Sequence, residues 1–204
     1  MSIRLVLGLG NPGARYAETR HNIGFRVVDE LGGRCGLGDW RREPLVDLLE
    51  LDLGVGLRAA KPLTYMNRSG SALAWLIERF AVDPAEILVV VDDLDLPLGR
   101  LRLRSRGGPG THNGLRDLCR VVGNDYPRLR VGVRGDGEPD DLADWVTSPF
   151  EVGEREMAMR AVHRAADAVE AVVSDGLAAA MNVFNRADAD DTDDEAPEDE
   201  RRES

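Results

Sequence analysis

A chain of 204 residues with two cysteines, three histidines and a formal net charge of −11 has room for one well-packed domain and not for two. No stretch nears the roughly 20 apolar residues of a membrane span, the N-terminal apolar run meets Asn-Pro too soon for a signal peptide, and the cysteines have no metal, redox or disulfide spacing. The expectation is a reduced, cytoplasmic protein with no membrane partner.

The first predicted element is a strand from Ile3 to Leu9, which stops at the turn signal Asn11-Pro12-Gly13. A polar loop then runs to His21-Asn22. Helical periodicity begins at Ile23 (Ile23, Val27, Val28, Leu31), with Asn22 as the expected N-cap. Gly8, Gly10 and Gly13 spell G-x-G-x-x-G, but the dinucleotide fingerprint needs a turn that opens straight into a helix whose N–H groups hold a pyrophosphate. Pro12 removes one N–H, residues 14–22 carry no apolar stripe, and Asp29 and Glu30 fall inside the helix. The ribose-binding acid should instead end a second strand. The stretch reads as an active-site floor, because Asn11 and His21 stand at a strand-to-helix junction, where open α/β folds place their crevices.

Leu45 to Leu53 alternates apolar and acidic residues, the pattern of a half-buried strand. A turn at 54–56 leads to a second strand ending at Lys61-Pro62, so the pair reads as a hairpin. A loop to about Ser69 precedes a helix with Leu73, Leu76, Ile77 and Phe80, which Asp83-Pro84 ends. Ile87 to Val91 is a strand buried on both faces, finishing in Asp92-Asp93-Leu94-Asp95. Arg100 to Arg106 alternates as RLRLRSR, a strand with four arginines on one face. The glycine-rich GGPGTHNG then leads into a helix whose stripe (Leu115, Leu118, Val122) places Cys119 in the core. A strand at Leu129 to Val133, a short helix at Asp140 to Trp145, a long helix at Glu151 to Val173 and a last helix to about Arg186 complete the domain. Strands interleaved with helices predict a single-domain α/β three-layer sandwich with a twisted, mostly parallel mixed sheet over residues 1–186. The remaining residues, 187–204, contain ten acids and two arginines. They read as a disordered, solvating acidic tail, with a charged interaction tail as the alternative. That tail holds −8 of the net charge, so the domain itself carries only −3, and local basic patches on it can matter.

Four loops at strand ends carry the polar side chains with chemical potential: Asn11 and His21; Met66 and Asn67; Asp92; His112 and Asn113. No G-x-S-x-G elbow surrounds a serine. Imidazole, carboxylate and amides suit general-base activation of water, with Asp92 orienting the imidazole and asparagines donating to an oxyanion. Such modest equipment favours an ester substrate. The acids at 92–95 have no evident histidine or further carboxylate at ligand spacing, so no metal is expected. His163, near the apolar face of the long helix, reads as structural. Lys61 is the only lysine; the other basic residues are arginines, suited to bidentate phosphate contacts. Arg128, Arg130 and Arg134 share a parity, and Arg116 and Arg120 lie between the two strands. Together with RLRLRSR they suggest an RNA or nucleotide phosphate surface, against the alternative of a charged edge strand that resists aggregation.

Taken in order, GLGNPG with Tyr16 and TRHN-IG, KPLTYMNRSG, DDLDLPLG, GGPGTHNGLRD and RLRVGV resemble the bacterial-type peptidyl-tRNA hydrolase family. The resemblance implies hydrolysis of the ester between a peptide and the 3′ ribose of tRNA, recycling tRNA during translation and ribosome rescue. It implies no metal or organic cofactor, a monomer and no obligate protein partner. His21 would be the catalytic base and Asp92 its orienting partner. Asn11, Asn67 and Asn113 would fix the peptide backbone, the water or the oxyanion. Tyr16, Met66 and His112 would shape the site around the terminal adenosine and peptide, Arg104 and Arg130 would clamp the tRNA 5′ phosphate, and Asp140 to Phe150 would form a mobile lid. A dinucleotide-dependent oxidoreductase and a non-catalytic RNA-binding module are the rival classes.

Overall fold

The computed structural model describes residues 2–36, 39–51, 56–135 and 141–186. In chain order these form β1 (Leu5–Gly8), α1 (Ile23–Arg34), β2 (Arg41–Arg42), β3 (Val46–Leu51), β4 (Leu57–Pro62) and α2 (Ser69–Phe80). There follow β5 (Ile87–Pro97), β6 (Leu101–Arg104), α3 (Asn113–Val122), β7 (Arg128–Arg134), α4 (Leu142–Thr147), α5 (Arg155–Ser174) and α6 (Leu177–Phe184). The acidic segment 187–204 lies outside the described residues.

The seven strands make one mixed sheet in the order β2-β3-β4-β1-β5-β7-β6. Its centre, β4-β1-β5-β7, is parallel. The expected hairpin is β3 against β4, antiparallel in unbroken register from Val46–Pro62 to Leu51–Leu57. A parallel strand buried on both faces needs apolar residues at every position, and β1 and the first half of β5 have them. Leu5, Leu7 and Leu9 with Ile87, Val89 and Val91 face the core beneath α2 and α3; Val6, Leu88 and Val90 face the core beneath α1, α5 and α6. This is the expected three-layer sandwich. Because α1 and α2 leave on opposite faces, the carboxyl end of β1 is the point where the winding reverses, and a crevice opens there.

Several boundaries differ from expectation for physical reasons. α2 stops at Phe80, before Asp83-Pro84, because Ala81 turns left-handed (φ 47°); Asp83 and Glu86 instead form a capping box on a separate 3-10 turn. The strand expected over Ile87–Val91 and finishing in Asp92-Asp93-Leu94-Asp95 continues as β5 to Pro97. The acids are accommodated by a bulge between Asp93 and Pro97, where the pairing to β7 shifts. His163 is exposed and pairs with Glu30 at 2.9 Å, so it is not on the apolar face. Cys119 is only half-buried at the edge of the core, 3.6 Å from the Tyr126 hydroxyl.

α1 presses on the sheet more closely than a side chain would permit. A Cβ on Gly24 would stand 2.5 Å from both the Leu9 and the Val90 carbonyl oxygens, and one on Gly8 would stand 2.3 Å from the Gly24 oxygen. All three obstacles are backbone, so none can swing away. Gly24→Ala should therefore cost at least the 1–3 kcal/mol typical of overpacking, read as a lowered urea midpoint. It should also reduce turnover, since α1 carries the His21 turn at its start. Unchanged stability would contradict the contact.

Candidate active site

Asn11 leaves β1 at its carboxyl end and is fixed from two directions. Its backbone N–H donates to Asn22 Oδ1 at 2.8 Å, its carbonyl accepts from Asn22 Nδ2 at 2.9 Å, and its own Oδ1 accepts from the Met66 N–H at 2.8 Å. The NH₂ end of Asn11 is thereby left as the donor at the cavity. Asn22 stands at the N-cap position of α1, but its side chain makes no cap bond. The paired bonds to the Asn11 backbone take it instead, which corrects the capping expectation and reveals a side chain whose work is to seat Asn11.

His21 lies in a 3-10 turn, Arg20–Asn22, directly before α1. Its Nδ1 is 2.9 Å from both oxygens of Asp92. His112 reaches Asp92 Oδ1 with Nε2, also at 2.9 Å, while its Nδ1 accepts from the Leu115 N–H at 3.1 Å and so caps α3. An Nδ1 that accepts a backbone N–H carries no proton, so the His112 proton is on Nε2 and is donated to Asp92. Asp92 thus receives two imidazole N–H groups, and the lone pair of His21 is on Nε2, the nitrogen left for the cavity. The close approach requires Gly114, where a Cβ would lie 2.5 Å from Met66 Sδ and 2.9 Å from His112 Cε1.

Burial opposes ionisation of Asp92, which is 2% exposed, but the pull of both imidazoles and their hydrogen bonds holds its pKa well below the ordinary carboxylate value. For His21, burial lowers the pKa, yet the charge and hydrogen bond of Asp92 together outweigh it and leave it above 6.5.

The cavity in front of this group encloses about 690 Å³ and is lined by Asn11, His21, Tyr65, Met66, Asn67, Asp92, His112, Asn113 and Arg116, with Leu142, Ala143 and Val146 of α4 as an apolar wall. Asn67 and Asn113 are exposed at its rim. Tyr16 does not line it; its ring packs edge-on against Tyr65, centroids 6.4 Å apart. Arg20, beside His21 in sequence, is wholly buried. Its guanidinium pairs with Glu154, donates to the Val133 carbonyl at 3.1 Å and lies between the Trp145 and Phe150 rings, at 4.1 and 4.8 Å. Its N–H donates to the Ser148 carbonyl at 3.0 Å. The α4 wall is thus fastened to the residue adjoining His21, a link that a sequence scan passes over because arginine ordinarily reads as surface.

His21, Asp92 and His112 offer donor atoms within 4.8 Å of one another, a set able to hold a metal ion. Histidines do therefore lie near Asp92, contrary to the spacing argument, 71 and 20 residues away in sequence. His21 Nδ1 and His112 Nε2 already donate to Asp92, so an ion held through those nitrogens would have to displace both protons.

A second cavity of about 230 Å³ adjoins the first and shares Asp93, Asp95 and Arg130 with it. On β6 and β7 the leucines and valines face the α5 and α6 core, which puts the arginines on the other face. Arg102 stands opposite Arg130, and Arg104 opposite Arg128. Arg128 is fully buried, donates to the Gly108, Asn124 and Tyr126 carbonyls and stacks 4.0 Å from the Tyr126 ring, so it is no free phosphate ligand. Arg130 donates to Asp93 at 3.0 Å and to the Gly108 carbonyl at 3.0 Å. Arg102, Arg104 and Arg106 are exposed. Arg116 and Arg120 are engaged on α3, with Gly110 and Asp117, and Arg134 is exposed at the far end of β7.

Imidazole, carboxylate and amide groups thus gather at the rim where the central parallel strands open. Residues 5–192 match the family model described as peptidyl-tRNA hydrolase. The chain is 49% identical over 187 residues to the peptidyl-tRNA hydrolase of Chloroflexus aggregans (89% of this chain, 98% of the other) and 46% identical over 184 residues to that of a Roseiflexus species (89% and 85%). The crystal structure of peptidyl-tRNA hydrolase from Acinetobacter baumannii superposes with a TM-score of 0.80 at 34% identity, covering 90% of this chain and 94% of that one. The chain belongs to the peptidyl-tRNA hydrolase family and is an enzyme.

Asn22→Ala removes two buried hydrogen bonds and leaves the Asn11 backbone groups unpaired, each at a cost of about 1–3 kcal/mol. We expect a lower melting temperature and, because Asn11 loses its seat, a fall in kcat. A normal kcat in the destabilised protein would show that Asn11 is held by Met66 alone.

Proposed function

We propose that this enzyme cleaves the ester joining a peptide to the 3′ ribose of tRNA with a water activated by His21, and so returns tRNA to translation. The observation that carries the reading is the double donation to Asp92, which assigns the unprotonated nitrogen of His21 to the cavity side. Nε2 takes a proton from water as its oxygen bonds to the ester carbonyl carbon. The oxyanion then accepts from amide N–H groups of Asn11, Asn67 or Asn113, of which Asn11 is held in place before the charge develops by its bonds to Asn22 and Met66. The carbon–oxygen bond to ribose breaks, and the 3′ oxygen takes the proton from the imidazolium. Asp92 stays ionised throughout, stabilising the charged ring. An ester suits the site because its alkoxide leaves without the further help an amine needs.

The remaining roles follow from position. Met66 and His112 shape the floor on which the terminal adenosine and peptide rest, and Tyr16 acts through Tyr65. The 142–147 helix covers the bound ester as a lid. The arginine groove beside the cavity takes a tRNA phosphate, Arg104 by direct contact and Arg130 both by contact and by holding Gly108. On this reading the enzyme works in the cytoplasm as a monomer, without an obligate protein partner or a cofactor; no described helix is long and apolar enough to cross a membrane.

His21→Ala should still fold, though with lower stability because Asp92 keeps only the His112 donor, and lose about 10²–10⁴-fold in kcat, the usual share of a positioned general base. The pH profile gives a finer test. Since the base must be unprotonated and Asp92 raises its pKa, kcat/KM should rise with pH through a midpoint above 6.5. In Asp92→Asn the burial of the ring persists while the negative charge is gone, so the midpoint should move to lower pH as the plateau drops. A midpoint that stays in place would sink the assignment of His21.

Arg104→Ala should raise KM for full-length peptidyl-tRNA with little change in kcat, the signature of lost uniform binding. It should leave a minimal peptidyl-adenosine ester unaffected. Equal damage on both substrates would exclude a distant phosphate contact.

A further inference from the structure

The arginine groove has a second feature, which concerns where the chain leaves the fold. After α6 the side-chain amide of Asn185 pairs with β6 as a strand residue would. Leu103 N–H donates to Asn185 Oδ1 at 2.6 Å, and Asn185 Nδ2 donates to the Leu103 carbonyl at 3.0 Å. The next carbonyl, of Arg186, accepts from Arg100 Nη1 at 3.4 Å. The chain is thus delivered to the edge of β6, beside Arg102 and Arg104. Among the described residues, Arg102, Arg104 and Arg106 have no hydrogen-bond or ion-pair partner. Beyond Arg186 come residues 187–204, whose ten acids fall mostly before Arg201. An extended chain covers about 3.3–3.6 Å per residue, so the first few acids (Asp188, Asp190, Asp191) are within reach of the groove as soon as they leave the fold.

We propose that the acidic segment 187–204 docks on the arginine groove of its own chain and competes there with tRNA phosphates. The competition rests on the groove's reading as a phosphate site; the docking does not. A short tether holds the acids near the groove at an effective concentration of order millimolar, so each individual contact can be weak. The pairs are solvent-exposed and screened over about 8 Å at physiological salt; a polyanion with many phosphates therefore displaces the segment. The result is a salt-sensitive threshold for RNA entry that leaves the ester chemistry untouched.

The test uses the full chain with Asp188, Asp190, Asp191, Asp193, Asp194 and Glu195 changed to their amides. Backbone and arginine side-chain NMR shifts at Leu101 to Arg106 should differ between this variant and the parent at about 0.01 M salt and converge at about 1 M, as the screening length falls from roughly 30 Å to 3 Å. The difference should not depend on protein concentration. In low salt the variant should have a KM for peptidyl-tRNA lower by roughly three- to tenfold, within the range of electrostatic steering, with kcat and the minimal-ester kinetics unchanged. Identical shifts in the two proteins at low salt overturn docking. A concentration-dependent difference overturns it too, and assigns the groove to the tail of a second copy. Shift differences with an unchanged KM support docking but overturn the competition, and with it the phosphate reading of the groove.

Discussion

A carboxylate with almost no access to water is the constraint around which this molecule is arranged. Taking Asp92 out of solvent is expensive unless its charge meets donors, and the two it meets come from opposite sides of the crevice. His21 arrives from the turn before α1, and His112 from the turn before α3. Both residues stand at helix starts, His112 capping α3 through its Nδ1 and His21 in the turn that leads into α1, so loops far apart in sequence close on one carboxylate. The site is therefore assembled by the same event that docks the helices on the sheet. Removing either donor would leave the other to offset the burial of the charge alone.

The sheet supplies the geometry that makes this meeting possible. β1 is flanked by parallel partners on both sides, so its end, the β4 end and the middle of β5 open on one rim. Asn11 and Met66 exit at that rim and are joined by one hydrogen bond. The bulge after Asp93 then lets β5 carry acids past the rim without losing its pairing to β7. It also places Asp93 against Arg130, where the two cavities meet.

Much of this was legible in the sequence, because strand ends are announced by local signals. Asn11 follows an apolar run, Asp92 follows a β-branched one, and RLRLRSR alternates without interruption. What could not be read were the side chains whose partners are remote. Asn22 has the residue type and position of a cap, and nothing local reveals that its amide is spent on Asn11. Arg20 gives no hint that its partners, Val133 and Glu154, lie more than 100 residues on. Arg128 shares the parity of Arg130, yet at the first position of β7 it is buried and bound to carbonyls. Period-2 reasoning gives the face and not the depth.

The amide of Asn185 has a bearing on how this protein behaves in company. β6 ends the sheet, and an uncovered edge is a template on which another extended chain can add a strand. At Leu103 both ladder groups are already occupied by a side chain that imitates a peptide bond but has no continuation. The ladder is terminated there as a zip is by its stop. A stray strand would have to displace two hydrogen bonds and lie beside the exposed Arg102 and Arg104, so this edge resists the addition of a further strand.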